Sequence, residues 1–193
     1  MTIVAGVHGV ATPADVGYGK AWAEALSGHI GDLVVDEVRW DSTGTLVGDV
    51  RLTLTNKRWR NRQIDMVCDA LRDGIAHKMI IAHSMGTVFV AEALRRMDSE
   101  IGTVFIGSPL NHPVWKNALR TVGVGGPTPG TPQNFWNEDD MVASGRFLKA
   151  KPPQWCKSNR VAVAGRLGRA VEHDAELYLA NRLVAETVGS LCI

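Results

Sequence analysis

The apolar positions of this chain fall into short runs that alternate between two spacings. Residues 2–7 (TIVAGV) form a brief apolar run stopped by His8-Gly9, which predicts a buried strand. Residues 15–26 carry Ala21, Ala25 and Leu26 on one side and stop at Ser27-Gly28, which predicts a helix. Residues 32–40 (DLVVDEVRW) predict a second strand. In residues 41–60, Val50, Leu52 and Leu54 alternate with Arg51, Thr53 and Thr55, a strand period that predicts an edge strand or a flap. Ile64, Val67, Cys68, Leu71 and Ile75 return to helical spacing, with Gly74 near that helix's end. A short strand over 78–82, a helix apolar on most sides over 85–97 and a strand over 101–106 follow. Residues 107–132 read as a long Gly/Pro-rich loop with a short helix at 114–119. Strands at 133–136 and 161–164 and a helix over 172–188 complete the pattern. Strands alternating with helices predict a mainly parallel sheet covered on both faces, with ligands at the carboxyl ends of the strands.

Composition narrows this picture. With 193 residues, 45% hydrophobic and 21% charged, the chain suits a single globular domain over 1–193 with a sizeable core. The 21 basic and 20 acidic residues leave a net charge of +1, which disfavours holding a polyanion. Lys57-Arg58-Trp59-Arg60 with Arg62 therefore reads as the solvated start of a helix rather than a nucleic-acid patch. No apolar stretch approaches the ~18 residues of a membrane span, and MTIVAGVHGV reads as a core strand rather than a signal peptide. Three widely spaced cysteines, Cys68, Cys156 and Cys192, make neither a disulfide framework nor a zinc ribbon, and Cys68 reads as core. A cytoplasmic location is expected. GRLG at 165–168 is no dinucleotide fingerprint, and GVGGPTPG at 123–130 no phosphate loop. Trp115, Trp136 and Trp155 flank the loops at predicted strand ends, as pocket walls or as core edges.

The chemistry concentrates in Ile80-Ile81-Ala82-His83-Ser84-Met85-Gly86. A strand enters, a small-x-Ser-x-Gly turn follows and an apolar helix leaves, which is the setting of a nucleophile elbow. The turn leaves room only for small residues two before and two after the serine. Ala82 and Gly86 meet that need, Ala82 departing mildly from the usual glycine. A serine needs a base, oriented in turn by an acid, in the chain order Ser, acid, His. His112 precedes every acid candidate, so His173 is the candidate base, the other reading being a surface histidine at a helix start. Glu138-Asp139-Asp140 follow the strand at 133–136. Asp140 is the first choice because Met141-Val142 follows it, and Asp139 is the alternative. The backbone N–H of Met85 and that of Val10, after His8-Gly9, are candidate oxyanion donors, with His8 holding that loop by a hydrogen bond.

VHGV at 7–10, AHSMG at 82–86, GSPL at 107–110, WNEDDMV at 136–142 and EHDAELY at 172–178 resemble the α/β-hydrolase superfamily, specifically its small lipase- or esterase-like members. The resemblance implies a near-minimal three-layer α/β-hydrolase fold with no large cap domain. It implies Ser84 as nucleophile, His173 as base, Asp140 as orienting acid and Met85 and Val10 as oxyanion donors, with no metal and no cofactor. The expected reaction is hydrolysis of a small-molecule carboxylic ester through an acyl-enzyme. A non-catalytic binding protein on the same fold, and a thioesterase or amidase, are the competing readings. The resemblance does not reach 41–62 or 143–160, so whether 41–62 forms a lid stays open, as does the oligomeric state.

Overall fold

Among the described residues, six parallel strands form one sheet in the order β2-β1-β3-β4-β5-β6. They are β1 (Thr2–Val7), β2 (Leu33–Val38), β3 (Met79–His83), β4 (Gly102–Ile106), β5 (Gln133–Trp136) and β6 (Lys157–Arg160). The helices among the described residues are α1 (Gly19–Leu26), α2 (Leu46–Thr55), α3 (Lys57–Arg72), α4 (Gly86–Met97), α5 (Met141–Ser144), α6 (Ala175–Leu179) and α7 (Arg182–Leu191), with a 3₁₀ turn at Pro109–Asn111. This computed structural model describes residues 1–10, 17–73, 76–111, 131–144, 155–163 and 173–192. The expected short helix at 114–119 lies outside them. Among the described residues, no helix is long and apolar enough to cross a membrane.

The period-two alternation of the central strands sorts their side chains onto two faces. Ile80, Ala82 and Phe105 point to one face, with Ile64, Val67 and Cys68 of α3 and Val88 and Phe89 of α4. Met79, Ile81, Val104 and Ile106 point to the other, with Trp22 and Leu26 of α1, Tyr178 and Leu179 of α6 and Val184 and Val188 of α7. Both faces are covered, so the central strands carry apolar residues at nearly every position.

Four expectations need correction. Residues 46–55 form helix α2 and no strand. Val50 and Leu54, two steps of a strand period apart, are also one helical turn apart, and both pack against the core as a helix presents them. Among the described residues the last strand is Lys157–Arg160, ahead of the predicted 161–164, whose residues 161–163 lie outside any strand. Its polar residues pair through the backbone with β5, while Val161 and Val163 are buried just beyond it. The single C-terminal helix is two, divided where Asn181 caps α7 by accepting from the Leu183 N–H. α1 starts at Gly19 rather than at residue 15, with Tyr18 before it. α3 begins at Lys57, so the basic run is the start of a helix: Lys57, Arg58 and Arg62 are exposed, and Arg62 pairs with Asp41 at 3.0 Å.

Strand order 2-1-3 makes the chain leave β1 for one neighbour and return to pair with it from the other side. Parallel sheets open a crevice at the carboxyl ends of the strands where such a reversal occurs. Here those ends carry His8-Gly9-Val10 after β1 and Ser84 after β3.

Candidate active site

Ser84 is the pivot between β3 and α4. Its φ of +52° is left-handed, a conformation that costs a non-glycine residue about 1–3 kcal/mol and persists only where surroundings impose it. The imposing contacts are hydrogen bonds. The Ser84 N–H donates to the Ile106 carbonyl at 3.1 Å, and the Ser84 carbonyl accepts from the Thr87 hydroxyl at 2.6 Å and the Thr87 N–H at 3.1 Å. With the Thr87 proton given to that carbonyl, the Ser108 hydroxyl donates to Thr87 at 2.8 Å and itself accepts from the Leu110 N–H at 3.2 Å. All three residues Ser84, Thr87 and Ser108 are buried. Gly86 is required by packing: a Cβ there would lie 2.4 Å from the His8 carbonyl oxygen. The elbow is thereby pressed against the end of β1.

His173 comes from the segment just before α6, and its ring meets the serine. Ser84 Oγ and His173 Nε2 are 2.7 Å apart, and His173 Nδ1 is 2.8 Å from Asp140 Oδ2. Asp140 has no exposed surface. Its Oδ1 accepts from the backbone N–H groups of Val142 and Ala143, and its Oδ2 also accepts from the Tyr178 hydroxyl at 2.7 Å. Burial pushes the Asp140 carboxyl up, but hydrogen bonds from His173, Tyr178 and the Ala143 backbone, with the charge of His173, outweigh it and hold it below the usual carboxylate range. An ionised Asp140 can only accept, so Nδ1 of His173 carries the proton. A neutral imidazole has one such proton, which leaves the Nε2 lone pair facing Ser84 Oγ.

Of the two acid candidates, Asp140 is the one bonded to His173. Asp139 is exposed, and its backbone N–H donates to Asn137 Oδ1. Met85 occupies the N-cap of α4, at the positive end of the helix dipole. At the end of β1, a Cβ on Gly9 would lie 2.7 Å from Ser84 Cβ, so this backbone lies against the serine and Val10 follows it. His8 is buried there. Its Nδ1 donates to the Gly9 carbonyl at 2.6 Å, its ring stacks on Trp40 at 5.0 Å, and its own carbonyl accepts from Trp40 Nε1 at 3.1 Å. Burial lowers the His8 pKa to about 4, so the ring is neutral. His112 and Trp115 lie outside the described residues. Trp155 is a core edge, packed edge-on against Phe105.

Tyr178, Thr87 and Ser108 escaped the reading of the sequence. Tyr178 had a usable signal: a tyrosine on the apolar side of a helix needs a partner for its hydroxyl. Thr87 and Ser108 had none, because their pairing depends on how α4 meets the end of β4. Among the described residues, no group of three or more His, Cys, Asp or Glu side chains is placed to hold a metal ion.

No family model and no curated protein sequence matches the chain. Solved structures do. Dienelactone hydrolase from Anabaena variabilis ATCC 29413 is 15% identical over 96% of this chain and 84% of its own, with a TM-score of 0.54. Est1E from Butyrivibrio proteoclasticus is 16% identical over 98% of this chain and 88% of its own, with a TM-score of 0.52. The chain has the α/β-hydrolase fold, as its motifs lead one to expect.

Proposed function

We propose that this protein is a serine hydrolase that cleaves carboxylic esters of small molecules through an acyl-enzyme on Ser84. The observation that supports this most is the continuous hydrogen-bonded chain from Ser84 Oγ through His173 to the buried Asp140 carboxylate. His173 Nε2 takes the serine proton as Oγ attacks the ester carbonyl, and Asp140 stabilises the imidazolium that results. The backbone N–H groups of Met85 and Val10 hold the oxyanion. The protonated His173 then gives its proton to the departing alcohol. Water, activated by the same ring, releases the acid and restores the serine. The name of one structural neighbour, a dienelactone hydrolase, favours a C–O ester over a thioester or amide.

The test is labelling with a fluorophosphonate probe. Wild-type protein is expected to take one label at Ser84, and Ser84→Ala and His173→Ala none. Folded wild-type protein that takes no label would overturn the proposal in favour of a non-catalytic binder. Turnover of p-nitrophenyl esters from short to long chains then separates esterase from lipase behaviour.

A further inference from the structure

We infer that His83, the residue before the proposed nucleophile, is a positioning residue: its ring grips the backbone of His173 and sets the distance between base and serine. The inference rests on the hydrolase reading above. His83 Nε2 lies 2.7 Å from the His173 carbonyl oxygen. A carbonyl only accepts, so Nε2 carries the proton and donates. Two consecutive residues therefore hold one residue 89–90 positions away at two points. Ser84 Oγ meets the side chain of His173, and His83 Nε2 meets its backbone. The bond from His173 Nδ1 to Asp140 holds the far side of the ring, and the backbone contact with His83 fixes where the residue as a whole sits relative to Ser84. Together they fix both separation and orientation of the ring, which is what a proton transfer over 2.7 Å requires.

His83 is well placed to act as this anchor. It ends β3, in register with Ile106 of β4, so its own backbone is held by the sheet. Its Nδ1 side packs against Gly9, where an added Cβ would lie 3.0 Å away. The His83 and His173 rings are 4.8 Å apart, centroid to centroid, and inclined by 39°. When His173 takes the serine proton, a second cation at that distance would oppose it. His83 does not supply one: burial, with the nearby His173 adding to it, lowers its pKa to about 3, against the smaller opposing effects of the bond to the His173 carbonyl and of Asp140. On the other side, His173 is followed by Asp174, which caps α6 by accepting from the Glu176 N–H. The base is thus anchored to α6 after it and to β3 through His83.

Two amide variants separate positioning from mere filling of space. The amide nitrogen of glutamine falls near the place of Nε2, and that of asparagine near Nδ1, short of the carbonyl. With p-nitrophenyl butyrate, His83→Asn is expected to lower kcat about 30- to 100-fold with KM little changed, and His83→Gln to stay within about fivefold of wild type. Both are to be measured on protein with a cooperative thermal melt. If His83→Asn has none, His83→Phe, which keeps the ring volume without the donor, replaces it. Wild-type kcat in the donor-less variant, or a loss in His83→Gln equal to that in His83→Asn, would overturn the inference. The hydrolase reading fails separately, when wild-type Ser84 takes no fluorophosphonate label.

Discussion

Among the described residues, Asp140 and Asp49 are the two aspartates without exposed surface, and they sit in opposite kinds of surroundings. Asp140 lies at the carboxyl end of β5, where its bonds to the Val142 and Ala143 backbone and to Tyr178 leave Oδ2 turned toward His173, a side chain that still reaches solvent. Asp49 lies on α2 and accepts from the Ser42 hydroxyl at 2.7 Å and the Thr43 N–H at 2.6 Å, tying the 41–45 connection to the helix. Both carboxylates are buried and hydrogen-bonded. The difference is what lies at the end of the network: at Asp140 a titratable ring followed by a strained serine, at Asp49 a turn. A buried carboxylate marks chemistry only when its network ends on a group that can change its proton.

The comparison can be broken most sharply at Asp140. Asp140→Asn keeps the shape but favours the wrong tautomer of His173, and ester turnover is expected to fall about 10⁴-fold. Asp139→Asn, one residue away, is expected to stay within about twofold. Equal losses in steady-state kcat would mean that the acid is misassigned. Next in size is Asp49→Ala. It leaves the Ser42 and Thr43 donors without this buried partner and is expected to cost about 1–3 kcal/mol of stability by urea denaturation, with kcat/KM unchanged. A large loss of turnover with full stability would show that α2 serves the site.

A further effect is one of pH. His83 has a folded pKa of about 3 against 6.5 for the free group, so between those values the unfolded chain binds more protons than the folded one. Its contribution to stability is complete above about pH 6.5 and is lost as pH falls toward 3, at up to about 1.4 kcal/mol per pH unit. His8 acts in the same direction between 6.5 and about 4. Asp140, held below its usual range, adds to the loss only once pH falls below the ordinary carboxylate value. Urea titrations at pH 4.5, 5.5 and 7 should therefore show a shallower decline in His83→Gln than in wild type. Parallel declines would mean that His83 is not neutral in the folded protein.

The elbow was legible in the sequence because its requirements are local. A strand, a small residue, the serine and a glycine within five positions are demanded by the turn itself, and Gly86 meets the His8 carbonyl as that demand implies. The order of Ser84, Asp140 and His173 was legible for a related reason: each follows a strand end or precedes a late helix, and a parallel sheet gathers such places at one edge. The 46–55 segment was not legible as a helix. Val50 and Leu54 satisfy both periods, and the burial of Asp49 and Thr53 that goes with the helical one is unusual for such residues. Nor were the ends of the last strand, since β6 is specified by backbone pairing with β5 rather than by its side chains. The break before α7 turns on Asn181, which caps the helix and also donates to the Ala162 carbonyl.

By itself, then, the sequence determined the alternation of elements, the elbow and the residues that could serve it. Those properties depend on neighbours a few positions apart, where bond geometry and side-chain spacing act directly. The hydrogen bond between Asp140 and His173, the hydroxyl pair under the serine, the Tyr178 bond and the grip of His83 on His173 were decided only by the tertiary structure. Each joins groups 21 to 90 positions apart. A hydrogen bond is decided within a few tenths of an ångström, and only the packing of helices on both faces of the sheet brings such distant groups to that distance.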